Sequence, residues 1–124
     1  MSNRPERVAQ RIKREAADIL ETTLRDPRLG GMVTVTDVEV THDMAMARIY
    51  VSILEEGEAR EKAMQALASA AGFVRRQLAP RLGLREVPEL RFVLDTSIER
   101  GARVEDLLRR LAQGESLPDD EEPS

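Results

Sequence analysis

Arginine is the residue with which this chain could do most. Of its 19 basic side chains, 17 are arginine, whose planar fork grips phosphate with two parallel bonds. Arg4, Arg7, Arg11 and Arg14 recur at steps of three and four and so form a stripe along one side of a helix. Residues 62–85 carry Lys62, Arg75, Arg76, Arg81 and Arg85 and no acid, whereas residues 37–61 carry seven acids against Arg48 and Arg60. Five more acids lie in residues 115–124, so a net charge of −4 hides a body, residues 1–114, of net charge +1. An asymmetric body with an acidic tail suits a polyanion partner on one face. The first candidates for phosphate contacts are Arg75, Arg76, Arg81 and Arg85, and the second Arg7, Arg11 and Arg14. Each alone is equally readable as a solvated surface residue; the cluster carries the reading.

Other chemistry has little material. His42 is the only histidine and lies beside Asp43 in a turn-like THDM stretch, so it reads as a turn residue rather than a base or a lone ligand. Glu55, Glu56, Glu58 and Glu61 could be imagined around magnesium, but they crowd the start of a helix, where the dipole favours acids without any metal. The chain has no cysteine, which excludes disulfides and thiolate metal sites. It has no phosphate-binding loop, dinucleotide fingerprint or nucleophile elbow. No catalytic residue, cofactor, metal or small-molecule substrate is therefore assigned. Tyr50, Phe73 and Phe92 are the only aromatics, too few to build the stacking platforms that readers of splayed bases use. An RNA ligand would be held by its phosphates and folded shape.

The elements that must position these arginines follow from periodicity. Pro5 suits the first turn of a helix capped by Ser2 or Asn3. Val8, Ile12, Ala16, Ile19 and Thr23 give that helix its apolar stripe, and it should stop at Asp26, before Pro27. DPRLGGM (26–32) reads as a loop. In VTVTDVEV (33–40), Val33 and Val35 share one face and Val38 and Val40 the other; a β-bulge near Asp37 would return all four to one side. Ala47, Ile49, Val51 and Ile53 then alternate with Arg48, Tyr50 and Ser52 as a half-buried antiparallel partner. A helical region then runs from EEGEA (55–59) to about Pro80, and Leu90, Phe92 and Leu94 mark a third strand. A last helix, capped by Thr96 or Ser97, uses Val104, Leu107, Leu108 and Leu111 and closes at Gly114. A strand–helices–strand unit implies parallel pairing. The expectation is an α+β fold with a three-stranded mixed sheet, helices on one face, over residues 1–112, and a disordered acidic tail at 113–124. The N-terminus has no signal-peptide core and no apolar run reaches the roughly 20 residues of a membrane span, so the expected location is cytoplasmic.

ASAAGFVRRQL (68–78) poses the sharpest question, because Gly72 stands inside a helical composition with two arginines close behind. Glycine costs a helix interior about 1 kcal/mol relative to alanine. A break there would start a second helix whose free N–H groups, beside Arg75 and Arg76, favour an anion. A continuous helix with Gly72 allowing close packing is the equal alternative on physical grounds.

The N-terminal amphipathic helix, VTVTDVEVTHD, ARIYVSIL, AAGFVRRQL and VPELRFVLDTSIERG occur in that order. Together they resemble the bacterial ribosome-binding factor A family over about residues 4–110. The resemblance implies a type II K-homology-like fold of order α-β-β-α-α-β-α, with Ala70-Ala71-Gly72 as a helix–kink–helix in place of the usual GxxG loop. It makes Gly72 part of the RNA-binding set. It also implies a monomeric, non-enzymatic factor for late maturation of the small (30S) ribosomal subunit. Such factors bind the free 30S subunit, not 50S or 70S, assist processing of 16S rRNA near its 5′-terminal helix, and matter in the cold. The rival is a protein-interaction module that uses the acidic 37–61 region without touching RNA.

Overall fold

The computed structural model describes residues 3–24 and 33–114, without side chains at 98–100 and 102–104. The 26–32 loop and the tail from residue 115 lie outside the described residues, as does the expected helix stop at Asp26. Helix α1 spans Arg4–Asp18, β1 Val33–Val40, β2 Met46–Ile53, α2 Gly57–Leu82, β3 Glu89–Leu94 and α3 Ser97–Ala112.

Asn3 caps α1 by accepting the Glu6 N–H at 2.9 Å, and Pro5 occupies the first turn. The buried residues Val8, Ile12, Ala16 and Ile19 follow the expected stripe. The α-helix gives way at Ile19 to a π-helical turn, Ile19–Thr23, closed by the Leu24 N–H on the Ile19 carbonyl. Thr22 Oγ1 donates to the Asp18 carbonyl at 2.7 Å, a side-chain bond that competes with the helical ladder. Thr23, expected on the stripe, is exposed as a result of this rewinding.

The sheet has the order β1-β2-β3, antiparallel between β1 and β2 and parallel between β2 and β3. The expected bulge is present: Val35 pairs with Val51 and Asp37 with Tyr50, leaving Thr36 as the extra residue. Its hydroxyl donates to Asp95 Oδ2 at 2.7 Å, tying the bulge to the end of β3. Val38 is buried, and Val33, Val35 and Val40 pack against the core on the same side. Ala47, Ile49, Val51 and Ile53 of β2 meet Leu67, Val74 and Leu78 of α2 and Ile12 and Ala16 of α1 in one cluster. The core therefore lies between one face of the sheet and helices α1 and α2. In the 41–45 turn, Thr41 and the Ala45 N–H both donate to Asp43 Oδ1, and Met44 adopts a φ of 66°. These bonds, the Ala45 N–H first, hold the Asp43 carboxyl below its ordinary value.

Two elements depart from expectation in detail. The helical pair expected around Ala70-Ala71-Gly72 forms one continuous run of helical hydrogen bonding over 26 residues, consistent with the expected element order. Gly72 has no left-handed φ; that conformation falls to Gly83, which ends α2 with a φ of 64°. Pro80, inside α2, has no N–H to give the Arg76 carbonyl, so the one obligatory gap in the ladder lies there. Helix α3 forms as expected, but Leu108 and Leu111 remain 60% and 45% exposed, because α1 and α2 already cover the apolar face of the sheet. Its first turn is held by Asp95, which accepts the Ser97 N–H at 2.9 Å, rather than by a Thr96 or Ser97 hydroxyl. No described helix is long and apolar enough to cross a membrane.

Candidate RNA interface

Seven arginines were singled out by composition, and the fold divides them by what their guanidinium groups already hold. Arg11 crosses from α1 to the end of α2, donating to the carbonyls of Leu82 at 3.0 Å and Arg81 at 2.8 Å. Those carbonyls have no helical partner of their own, and a cation is favoured at that end of the dipole. Arg81 runs the other way. Its Nη1 lies 2.6 Å from Asp18 Oδ2 and 3.4 Å from Glu15 Oε2 on α1. Together the two side chains staple α1 to α2. Arg75 donates twice to the Val87 carbonyl, at 3.0 and 2.7 Å, and so folds the 83–88 segment back along α2. These three have partners inside the molecule, while Arg11 and Arg75 also remain exposed to solvent.

Arg7, Arg14, Arg76 and Arg85 are exposed and make no hydrogen bond or ion pair with a described residue. Arg7 and Arg14 stand about one turn to either side of Arg11 on α1. Arg76 Nη1 lies 3.5 Å from where a Gly72 Cβ would be. Arg85 projects from the segment that Arg75 anchors. Arg7 and Arg14 thus stand on α1, Arg76 on the exposed side of α2 and Arg85 in the segment that follows it.

Gly72 is exposed, and a Cβ there would meet nothing within 4 Å except that guanidinium nitrogen. Neither backbone conformation nor internal packing requires glycine at this position. Close packing within the molecule therefore does not account for Gly72. With the helix continuous, Gln65, Ser69, Gly72 and Arg76 recur at steps of four, three and four and are all exposed, forming one narrow face with a flat centre. The sequence carried this spacing, but reading a break at Gly72 concealed it.

The acids of 55–61 form no metal cage: no group of three His, Cys, Asp or Glu side chains among the described residues could hold an ion. Glu58 instead pairs with Lys62 at 3.7 Å on the surface. His42 sits exposed in the turn beside Asp43.

A family model described as Ribosome-binding factor A matches residues 4–108. A protein named ribosome-binding factor A from Desulforamulus reducens is 42% identical over 118 residues, covering 95% of this chain and 98% of its own. Its counterpart from Acetivibrio thermocellus is 42% identical over 120 residues, covering 96% and 98%. Among solved structures, a putative ribosome-binding factor A from Thermotoga maritima superposes with a TM-score of 0.67 at 36% identity, covering 80% of this chain and 95% of that one. The crystal structure of the factor from Thermus thermophilus gives 0.65 at 30% identity, with 73% and 93% covered. A homology model of the Thermus thermophilus factor, fitted into the map of its complex with the 30S subunit, gives 0.60 at 31% identity, covering 71% and 91%.

Proposed function

The chain belongs to the ribosome-binding factor A family, and we propose that it is a non-catalytic, monomeric assembly factor of the cytoplasm. It binds the free 30S subunit, not 50S or 70S, and assists late maturation of 30S and processing of 16S rRNA near the 5′-terminal helix, with its largest effect in the cold. One observation carries the reading: Arg7, Arg14, Arg76 and Arg85 are exposed and have no partner among the described residues, while Arg11 and Arg81 join α1 to α2 and Arg75 ties the 83–88 segment to α2. Guanidinium groups held this way meet phosphates with little ordering cost, since the scaffold beneath them is already fixed. The presence of a 30S complex of the Thermus thermophilus relative supports the same partner.

The mechanism needed is one of binding. An assembly factor acts by holding an immature RNA conformation, and differential affinity for two states of the subunit is the only free energy it can supply. Binding to phosphates makes that affinity steeply salt-dependent. Sedimentation of lysate from cold-grown cells through a sucrose gradient tests the proposal. The protein is expected in the free 30S fraction, and its deletion should leave 16S rRNA precursors to accumulate. Presence in the 70S fraction, or normal rRNA processing after deletion, would overturn the reading.

A further inference from the structure

Among the described residues, no side chain of α3 belongs to the core or packs against it. Leu108 and Leu111 are mostly exposed, and Asp106 pairs with Arg109 and Arg110 within the helix itself. A Cβ added at Gly101 would meet nothing within 4 Å, so the second turn is clear of its neighbours on that side too. A helix in a folded domain usually takes its direction from an apolar face laid on the core. For α3 the described contacts that set its direction lie at its base.

There a single carboxylate makes the connection. Asp95 follows β3, and its N–H donates to the Val51 carbonyl of β2 at 2.8 Å. Asp95 Oδ1 accepts the Ser97 N–H at 2.9 Å, one of the donors that a first helical turn leaves unpaired. Asp95 Oδ2 accepts the Thr36 hydroxyl at 2.7 Å. Thr36 is the extra residue of the β1 bulge, and a bulge re-aims the side chain it carries.

We propose that Thr36 and Asp95 form a latch that fixes the direction of α3, turning a helix without core packing into a rigid arm. The two oxygens of one planar group are bonded to different elements, β1 on one side and α3 on the other. Rotation at the Asp95–Thr96 junction therefore breaks at least one of these bonds. Bonds to a carboxylate are short and directional, which suits an angular constraint. The leverage is large. A helix of 16 residues is about 24 Å long, so a swing of about 20° at its base carries its last turn through about 8 Å. The bulge thus has a second consequence beyond returning the valines of β1 to the core: it aims the hydroxyl that closes the latch.

The chain has no cysteine, so a pair of spin labels can be placed in the full-length protein without background. Labels on Ser69→Cys in α2 and Ala112→Cys at the end of α3, both exposed positions, read the angle of the arm as a distance distribution. The latched protein should give one narrow peak. Thr36→Val removes the hydroxyl but leaves the Ser97 bond, and Asp95→Ala removes both acceptors. Each should widen the distribution by at least about 5 Å, on the scale of that swing. Thr36→Ser keeps the hydroxyl and should stay narrow. Circular dichroism and thermal melts on every variant show whether the arm has swung or unwound. If Thr36→Val does not melt cooperatively, Asp95→Ala decides alone. A broad distribution in the chain with its latch intact or in Thr36→Ser would overturn the inference. So would a peak as narrow in Thr36→Val and Asp95→Ala as in the parent, or broadening that comes only with loss of helical signal.

Discussion

At the scale of single residues, seven similar arginines have two kinds of work, and substitution separates them. Arg75→Met leaves the Val87 carbonyl without its two donors, which should cost about 1–3 kcal/mol of stability. Arg76→Gln, with no described partner to lose, should stay within about 0.5 kcal/mol of wild type. Urea denaturation of the two variants checks both values. Gly72→Ala should raise stability by about 1 kcal/mol, since helical backbone and open space await the added methyl; destabilisation instead would mean a strained glycine after all. Asp43 gives a pH signature. Its folded pKa lies below the ordinary 3.8, chiefly through the Ala45 N–H. Its contribution is therefore fully present above 3.8 and lost as pH falls through the lower folded value. Asp43→Asn should remove that part of the acid dependence of unfolding, and an unchanged acid limb would contradict it. Residue types in the sequence announced the cluster, but not which arginines were already engaged, because the carbonyls of Leu82 and Val87 are invisible until the helix end and the following segment are placed.

At the scale of elements, periodicity was most informative where burial is one-sided. The valine phase slip in β1 located a bulge to within a residue, because only an inserted residue keeps all four valines on the core. Deleting Thr36 should then turn Val33 and Val35 away from the core and break the bond to Asp95. Loss of cooperative thermal unfolding is expected, and a normal melt would refute the assigned register. Periodicity failed where composition invited a local rule. Glycine and adjacent arginines suggested a break in α2, yet burial of Ala63, Ala66, Leu67, Val74, Leu78 and Leu82 along one side holds the helix through position 72. A penalty of about 1 kcal/mol cannot outweigh that much apolar burial. Similarly, the apolar spacing of α3 was legible, but the sheet face it might have covered was already occupied.

At the scale of the whole molecule, charge is segregated along the chain: residues 62–85 carry five basic side chains and no acid, while acids concentrate in residues 37–61 and 115–124. The five acids of residues 115–124 should repel a polyanion weakly and over a range set by salt. A chain ending at Gly114 is expected to fold normally and to bind 30S subunits somewhat more tightly at low salt, with the gain shrinking as salt rises. Weaker binding would assign those residues a direct contact. The central claim is that one basic face, rather than overall charge, engages the subunit. Affinity for purified 30S subunits tests it most directly, comparing Arg76→Gln/Arg85→Gln with Arg48→Gln/Arg91→Gln, a pair from exposed positions on β2 and β3. Both variants lose two positive charges. The first should bind at least about tenfold more weakly and the second like wild type; equal losses in the two, or none in the first, would contradict the account.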